Sequence, residues 1–224
     1  DASRVGQYYN WTLDELVHAA RAGFDGICVN EHHQNAYGFM PSPNLMGSVL
    51  ARETAGMDVA LVQMGSTLPT TNPPTRVAEE YAMLDCISGG RLVAGFPVGS
   101  SQDVNFAYGM NPATFRDRYY EAERLILEAW TNPDVFAFDG KYTQMRYVNI
   151  WPRPLQKPHP PIGVAGLSEN SDTLKMAGEH GFLPLSLNLN PGYVKSHWDA
   201  VEEGAKRTGR TPHRSDWRLV REVF

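Results

Sequence analysis

The sequence predicts a (β/α)8 barrel of the TIM type, truncated at both ends. Apolar runs of strand length alternate with segments of helical periodicity, which is typical of a parallel sheet covered by helices. Small and polar residues follow the predicted strands at their carboxyl ends, where the functional loops of such a barrel lie. The 224 residues contain five or six strands. A complete barrel needs more, so we expect one strand before residue 1 and others after residue 224.

The clearest βαβ unit runs from Val59 to Ser100. Its first strand, 59–64, is almost continuously apolar, as expected for a strand that is buried on both faces. The next segment has apolar residues at i, i+4 and i+7 (Val77, Tyr81 and Leu84), which predicts a helix over 75–87. Gly89 then allows the left-handed conformation at the end of the helix. Residues 92–96 form the returning strand.

The N-terminal part predicts two helices and a strand. Thr12, followed three residues later by Glu15, matches a capping box and places a helix start at Thr12. A strand follows over 24–29. Pro43, directly after Ser42, predicts the start of the second helix. This helix carries a flat face of small residues, namely Gly47, Ser48 and Ala51.

The C-terminal part continues the alternation after one interruption. A long helix is predicted from Ala113 to Thr131. Asp139-Gly140 then predicts a β-hairpin with a two-residue loop, as an excursion from the barrel near residues 133–152. Further strands are predicted over 162–165 and 182–187, and another begins at Trp217. We expect residues 1–224 to form part of a single barrel domain.

Composition and motif spacing exclude several classes of function. The net charge of −5 provides no basic surface for nucleic acid, and no apolar run is long enough to span a membrane. The two cysteines, Cys28 and Cys86, match neither a disulfide framework nor a thiolate metal site, so we expect a cytoplasmic protein. His32 and His33 are adjacent and point to opposite sides of an extended chain, so we expect no metal.

Three strand ends carry residues with the chemistry of a site. His32 follows the first strand and can transfer protons near neutral pH, with Glu31 to orient or tune a histidine. The alternatives are a packed histidine and a solvated acid. Gly65 and Ser66 leave room for a flat ligand, or form an ordinary loop. Residues 166–173 place backbone N–H groups and hydroxyls at a helix N-terminus, which binds phosphate, unless Ser171 or Asp172 caps the helix.

Four stretches together resemble the bacterial luciferase-like flavin-dependent monooxygenases. They are G-I-C-V-N-E-H-H from Gly26, the segment from Thr67 to Leu92, F-D-G-K-Y from Phe138, and P-R-P-L-Q-K-P-H-P-P-I from Pro152. The resemblance covers almost the whole chain. The family has a (β/α)8 barrel, and its members are usually longer than this chain.

The resemblance implies a cofactor, partners and an assembly. The cofactor is reduced FMN, supplied by a separate NAD(P)H:flavin reductase, and O2 is the co-substrate that oxygenates a small organic substrate. The protein is expected to be a homodimer that uses the small-residue face of the helix over 42–52 and the helix over 75–87. A deazaflavin-dependent oxidoreductase on the same barrel and a non-catalytic flavin-binding protein remain alternatives.

The resemblance also implies roles for individual residues. His32 matches a histidine beside the flavin, and Met64–Ser66 match a turn that carries a non-prolyl cis peptide against the flavin ring. Val98 stands where many relatives have an arginine for the phosphate, so the phosphate would be held by backbone N–H groups and another cation, such as Arg116 or Arg118. Two residues are expected to be catalytic, His32 and Glu31. The expected cofactor-binding residues are Met64, Gly65, Ser66, Pro97, Gly166, Ser168, Glu169, Asn170, Ser171 and Thr173.

Overall fold

A computed structural model of the chain describes residues 2–34, 36, 38–99, 102–187 and 190–220. Ser100, at the end of the predicted βαβ unit, lies outside the described residues, as does the predicted last strand beyond residue 220. The helices are α1 (Val5–Arg21), α2 (Pro43–Glu53), α3 (Thr75–Ser88), α4 (Gln102–Ala107), α5 (Phe115–Thr131), α6 (Asp172–His180) and α7 (Val194–Arg207). The strands are β1 (Gly26–Asn30), β2 (Ala60–Met64), β3 (Leu92–Gly95), β4 (Phe136–Asp139), β5 (Gln144–Val148), β6 (Ile162–Gly166), β7 (Leu183–Leu187) and β8 (Arg218–Val220).

Within the described residues, six strands form one parallel sheet in the order β1-β2-β3-β6-β7-β8. The pairings run from Gly26 opposite Ala60 at one end to Leu187 opposite Val220 at the other. Strands β4 and β5 form a separate antiparallel pair. Because all six strands are parallel, their carboxyl ends lie at one edge of the sheet. The predicted fold class, a partial (β/α) barrel, is confirmed.

The two faces of the sheet have different surroundings. On β2, Leu61 and Gln63 are buried, and Gln63 contacts α2 at Gly47. Val62 and Met64 lie on the opposite face and are only partly buried. This alternation follows from the two-residue period of a strand. The face with Gln63 is therefore the helix side, and the face with Met64 is the inner side of the barrel.

Helix α1 starts about two turns earlier than the sequence predicts. It begins at Val5, so the prediction of a start at Thr12 is wrong. The Thr12 hydroxyl donates to the carbonyl of Tyr8, four residues back, at 3.0 Å. A threonine that makes this bond is inside a helix and does not cap it. The capping-box pattern is misleading here because the residues before Thr12 can continue the helix. Between Val5 and Thr12 the only glycine is Gly6, in the first turn, and there is no proline.

The hairpin loop between β4 and β5 has four residues, so the prediction of a two-residue loop is wrong. Asp139 pairs with Gln144, and the N–H of Gly140 donates to the carbonyl of Thr143 at 2.9 Å. The cause lies outside the hairpin. The carboxylate of Glu121 on α5 accepts the backbone N–H groups of Lys141, Tyr142 and Thr143. These tertiary hydrogen bonds stabilise a loop that the sequence of the hairpin does not specify.

The small-residue face of α2 is turned inwards, against β2. Gly47 and Ala51 are buried, and a Cβ atom on Gly47 would lie 2.5 Å from Nε2 of Gln63. The exposed side of α2 instead carries Leu45 and Val49, which are 70% and 42% exposed. The prediction that Gly47 and Ala51 form a surface for dimerisation is therefore wrong, because these small residues let the helix approach its own sheet.

Candidate functional site

The turn that follows β2 is held in place by a buried tyrosine. The Met64–Gly65 peptide bond is cis. The N–H of Ser66 donates to the hydroxyl of Tyr81 at 2.9 Å, and that hydroxyl lies 3.0 Å from the carbonyl oxygen of Gly95, to which it donates. A Cβ atom on Gly65 would stand 2.2 Å from the carbonyl oxygen of Gln63. The backbone therefore admits only glycine at position 65, and Tyr81 joins the ends of β2 and β3.

Tyr81 is a residue of this site that the sequence pattern identified only as part of a helix face. Its side chain is fully buried, and burial raises the pKa of its hydroxyl well above the usual value. The group therefore stays protonated and acts as both donor and acceptor. The available signal was chemical, since a buried tyrosine hydroxyl normally has a hydrogen-bond partner.

Glu31 connects the end of β1 to the turn after β2. One carboxylate oxygen accepts the N–H of Thr67 at 2.9 Å, and the other lies 2.5 Å from Nε2 of His33. Nδ1 of His33 lies 3.2 Å from the hydroxyl of Tyr108, whose ring meets the imidazole edge-on. Burial, and then the charge of Glu31, raises the pKa of Tyr108. The carboxylate predicted to orient a histidine thus contacts His33.

His32 lies at the same strand end and is half-buried. Its backbone N–H donates to the carbonyl of Met40 at 3.0 Å, which closes the loop that follows β1. Gly38 lies beside its ring, and a Cβ atom there would be 3.5 Å from Cδ2 of His32. The two histidines therefore have different surroundings, and His33 is the one in the pair with Glu31.

The end of β3 packs against the same turn. Gly99 has a φ of +77°, and a Cβ atom on it would lie 2.4 Å from Cγ2 of Thr67. Gly99 thus lies against the turn that follows β2. The sulfur of Met64 is next to Gly95 of β3 and Gly163 of β6, at 2.6 and 3.5 Å from the positions of added Cβ atoms. Glycine at both positions leaves space for this thioether on the inner face.

The two arginines expected to substitute at Val98 have different surroundings. The guanidinium of Arg118 lies 4.3 Å from the centre of the Tyr142 ring, in the loop between β4 and β5. Arg116 is exposed on α5. Val98 itself packs against the hydrophobic core. The strand end of β3 therefore presents an apolar side chain where an arginine would bring positive charge.

The remaining candidates form the turn between β6 and α6. Ser168, Glu169 and Asn170 are exposed, whereas Ser171 and Thr173 are buried. Ser171 occupies the N-cap position, but its side chain makes no capping hydrogen bond. Its hydroxyl lies next to Gly166, 2.9 Å from where a Cβ atom would stand. The first turn of α6 thus keeps N–H groups without a side-chain cap, which is the arrangement that binds anions.

Two further observations concern the described residues as a whole. They contain no group of three or more histidine, cysteine, aspartate or glutamate side chains placed to hold a metal ion. Across the same residues, no helix has both the length and the apolarity needed to cross a membrane.

Comparison with known proteins identifies several that are similar in sequence to this chain. It is 34% identical over 165 residues to the uncharacterized protein y4wF of Sinorhizobium fredii and 30% identical over 176 residues to the oxygenase component of flavin-dependent trigonelline monooxygenase of Acinetobacter baylyi. These matches cover 74% and 76% of the chain. The chain spans about half the length of these relatives, 47% of each.

Solved structures resemble the whole fold. The oxygenating constituent of 3,6-diketocamphane monooxygenase of Pseudomonas putida, a type II Baeyer-Villiger monooxygenase in complex with FMN, superimposes with a TM-score of 0.86 at 25% identity. The match covers 95% of this chain and 61% of that one. An F420-dependent secondary alcohol dehydrogenase shares the fold, with a TM-score of 0.80, 19% identity and coverage of 94% and 63%. The model of the luciferase-like monooxygenase family matches residues 2–223, and the chain therefore belongs to that family.

Proposed function

We propose that this chain forms the flavin-binding barrel of a monooxygenase that uses reduced FMN and O2 to oxygenate a small organic substrate. The observation that carries the proposal is the likeness, over 95% of the chain, to an oxygenating enzyme that binds FMN. The candidate residues stand at the carboxyl ends of parallel strands, where barrels of this type bind their ligands.

The residues of this chain fit FMN. The first turn of α6 offers N–H groups without a side-chain cap, and the helix dipole adds positive potential there. The partly exposed thioether of Met64 provides a polarizable apolar wall for a flat ring. Because Val98 replaces an arginine, the phosphate would be held by backbone N–H groups together with the hydroxyls near the start of α6.

Bound reduced FMN would supply the electrons with which one atom of O2 is added to the substrate and the other is reduced to water. The residues of this chain would position the flavin and transfer protons during the reaction. Tyr81 and Glu31 hydrogen-bond to the backbone of the turn at 65–67, and these bonds would hold the turn in place beside the flavin ring. His32 would exchange the proton, because a ring nitrogen of imidazole can donate or accept one.

Substitution of the two histidines tests the proton-transfer role. We expect His32→Ala to lower turnover about a hundredfold or more, the effect typical of a positioned acid or base. The affinity for FMN should change little, because the phosphate is held at α6. His33→Ala should act differently, since it leaves the partly buried Glu31 without one partner and should mainly lower stability. Full turnover in His32→Ala would contradict the role of His32.

Cofactor titration tests the main proposal. We expect reduced FMN to bind more tightly than oxidised FMN, because the site serves a reduced flavin that diffuses from a separate NAD(P)H:flavin reductase. The reductase is suggested by the relative that is named as an oxygenase component. Anaerobic fluorescence titration gives both affinities. Equal or reversed preference would contradict the two-component system, and tight binding of a deazaflavin with no binding of FMN would favour hydride transfer on the same barrel.

We also propose that the chain forms a single barrel domain, that the protein is cytoplasmic, and that it assembles as a homodimer. Two neighbouring helices, α2 and α3, carry exposed apolar side chains, namely Leu45, Val49, Met83 and Ile87. A contiguous exposed patch of apolar side chains favours contact with another protein surface. These residues replace Gly47 and Ala51 as the proposed interface.

The alternative to an enzyme is a flavin-binding protein without catalysis. Binding of FMN without formation of an oxygenated product, in the presence of a reductase, would indicate this alternative.

A further inference from the structure

The turn between β6 and α6 is attached to the first turn of helix α7. The N–H of Asn170 donates to the hydroxyl of Ser196 at 3.0 Å, and that hydroxyl donates to the carbonyl of Tyr193 at 2.7 Å. One residue further on, Nε2 of His197 lies 3.0 Å from the carbonyl oxygen of Ser168. Two adjacent side chains of α7 therefore hold the backbone of the turn at residues 168 and 170.

The chemistry of each bond defines the state of the side chain. A carbonyl oxygen only accepts, so Nε2 of His197 carries the hydrogen. The imidazole is fully buried, and its Nδ1 has no hydrogen-bond partner among the described residues. Ser196 accepts at one side and donates at the other, as a hydroxyl can. Asn170 has a φ of +49°, an uncommon value for a residue other than glycine, in a segment that these bonds hold.

Helix α7 is itself fixed relative to α6. A Cβ atom on Gly204 would lie 1.8 Å from the carbonyl oxygen of Lys175, and one on Gly178 would lie 2.0 Å from the carbonyl oxygen of Val201. The two helix backbones thus touch without side chains between them. Because the backbones of α6 and α7 are in direct contact, Ser196 and His197 hold the turn at a defined position relative to the first turn of α6, which has no side-chain cap.

We propose that Ser196 and His197 are positioning residues for the phosphate of the flavin. They hold the turn at 168–170 in the shape that brings N–H groups and hydroxyls around one phosphate, without contacting the phosphate themselves. The inference rests on the proposed function, since it assumes that FMN is bound with its phosphate at α6. The inference gives α7 a role in binding the cofactor, although none of the candidate residues at the strand ends lies on α7.

The test compares FMN with riboflavin, which has the same ring and no phosphate. In anaerobic titrations with both reduced flavins, Ser196→Ala should weaken FMN binding about three- to tenfold, the effect of one lost hydrogen bond, and leave riboflavin binding unchanged. His197→Leu should do the same. Ser196→Thr and His197→Gln keep a hydroxyl and an N–H donor and should recover most of the FMN affinity.

Ser48→Ala is the matched control. The Ser48 hydroxyl also donates to a carbonyl three residues back, that of Leu45 at 2.8 Å, but it lies on α2. It should change neither affinity. Equal weakening of FMN and riboflavin by Ser196→Ala would show a merely structural role and overturn the inference, as would no change in either. If His197→Leu does not fold, Ser196→Ala decides alone.

The wild-type protein separates this inference from the proposed function. If it binds both flavins equally well, the phosphate is not held at this turn; the positioning role is then wrong, although a flavin site remains. If it binds neither flavin, the proposed function fails as well.

Discussion

At the scale of single residues, the candidate site depends on side chains that form hydrogen bonds to backbone groups and so hold the turns in place. Tyr81, Glu31 and the pair Ser196–His197 each hydrogen-bond to a main-chain group in a turn at a strand end. Turns expose polar backbone groups, and a buried turn needs partners for them. Such residues fix the shape of the site without being its reactive groups.

Tyr81→Phe tests this role at the turn after β2. The change leaves the N–H of Ser66 without its acceptor and the carbonyl of Gly95 without its donor, both in buried surroundings. We expect a loss of about 1–3 kcal/mol in the free energy of unfolding, from the cost of an unsatisfied buried polar group. Denaturant titration measures it.

Tyr119→Phe is the control for that measurement. Tyr119 is equally buried, on α5, and its hydroxyl donates to the carbonyl of Phe96 at 3.2 Å. The substitution removes the donor to the Phe96 carbonyl, and within the described residues it leaves no backbone N–H group without its acceptor. We expect a smaller cost than for Tyr81→Phe. An equal or larger cost for Tyr119→Phe would show that Tyr81 has no special place in the turn.

His180 should make stability depend on pH. Its Nδ1 lies 2.6 Å from the buried carboxylate of Glu123, and this hydrogen bond is the main cause that raises the pKa of His180 above its usual 6.5. A raised pKa in the folded state stabilises the fold fully below the unfolded pKa, and this contribution is lost as the pH rises through the folded pKa. The stability advantage of the wild type over His180→Asn should therefore be larger at pH 6 than at pH 9.

The charge partner provides the control for this prediction. In a Glu123→Gln background, the effect of His180→Asn should depend much less on pH, because the carboxylate whose hydrogen bond is the main cause of the raised pKa is gone. Denaturant titration of the four variants measures the differences. A larger wild-type advantage at pH 9 would contradict the assignment.

At the scale of elements, α2 shows how one glycine sets the distance between a helix and a sheet. Any side chain at Gly47 would displace the buried side chain of Gln63. We expect Gly47→Leu to lower the free energy of unfolding by about 1–3 kcal/mol, the usual cost of overpacking. The measurement is denaturant titration at protein concentrations that leave the oligomeric state unchanged. Dissociation with unchanged stability would show that Gly47 lies in an interface after all.

At the scale of the whole molecule, the proposed homodimer uses the exposed apolar side chains of α2 and α3. Leu45→Asp places a charge at a position that is 70% exposed, so the stability of one subunit should hardly change. In a dimer the same charge would be buried without a partner, and we expect at least a tenfold weaker association. Analytical ultracentrifugation over a range of concentrations measures it.

Leu219→Asp is the control for the dimer. Leu219 is 52% exposed and lies on β8, at the opposite end of the sheet from β1, β2 and β3, which α2 and α3 connect. Its change should leave association unaffected. Equal weakening by both substitutions, or a protein that is monomeric at every concentration, would contradict the proposed interface.

The sequence by itself determined the order and type of the main elements. Apolar runs such as that at 59–64 and the helical spacing of Val77, Tyr81 and Leu84 are local patterns, because a buried strand and a one-sided helix each write their period into the chain. The carboxyl ends of the strands, and therefore the edge that carries the candidate site, follow from that order.

Only the tertiary structure decided what the side chains at those ends contact. The partner of Glu31 is His33, the loop after Asp139 is shaped by Glu121, and Gly47 faces β2. Ser196 and His197 reach a turn 26 and 29 residues away. These contacts join positions distant in sequence. No local period records them, because they depend on which elements the packed core brings together.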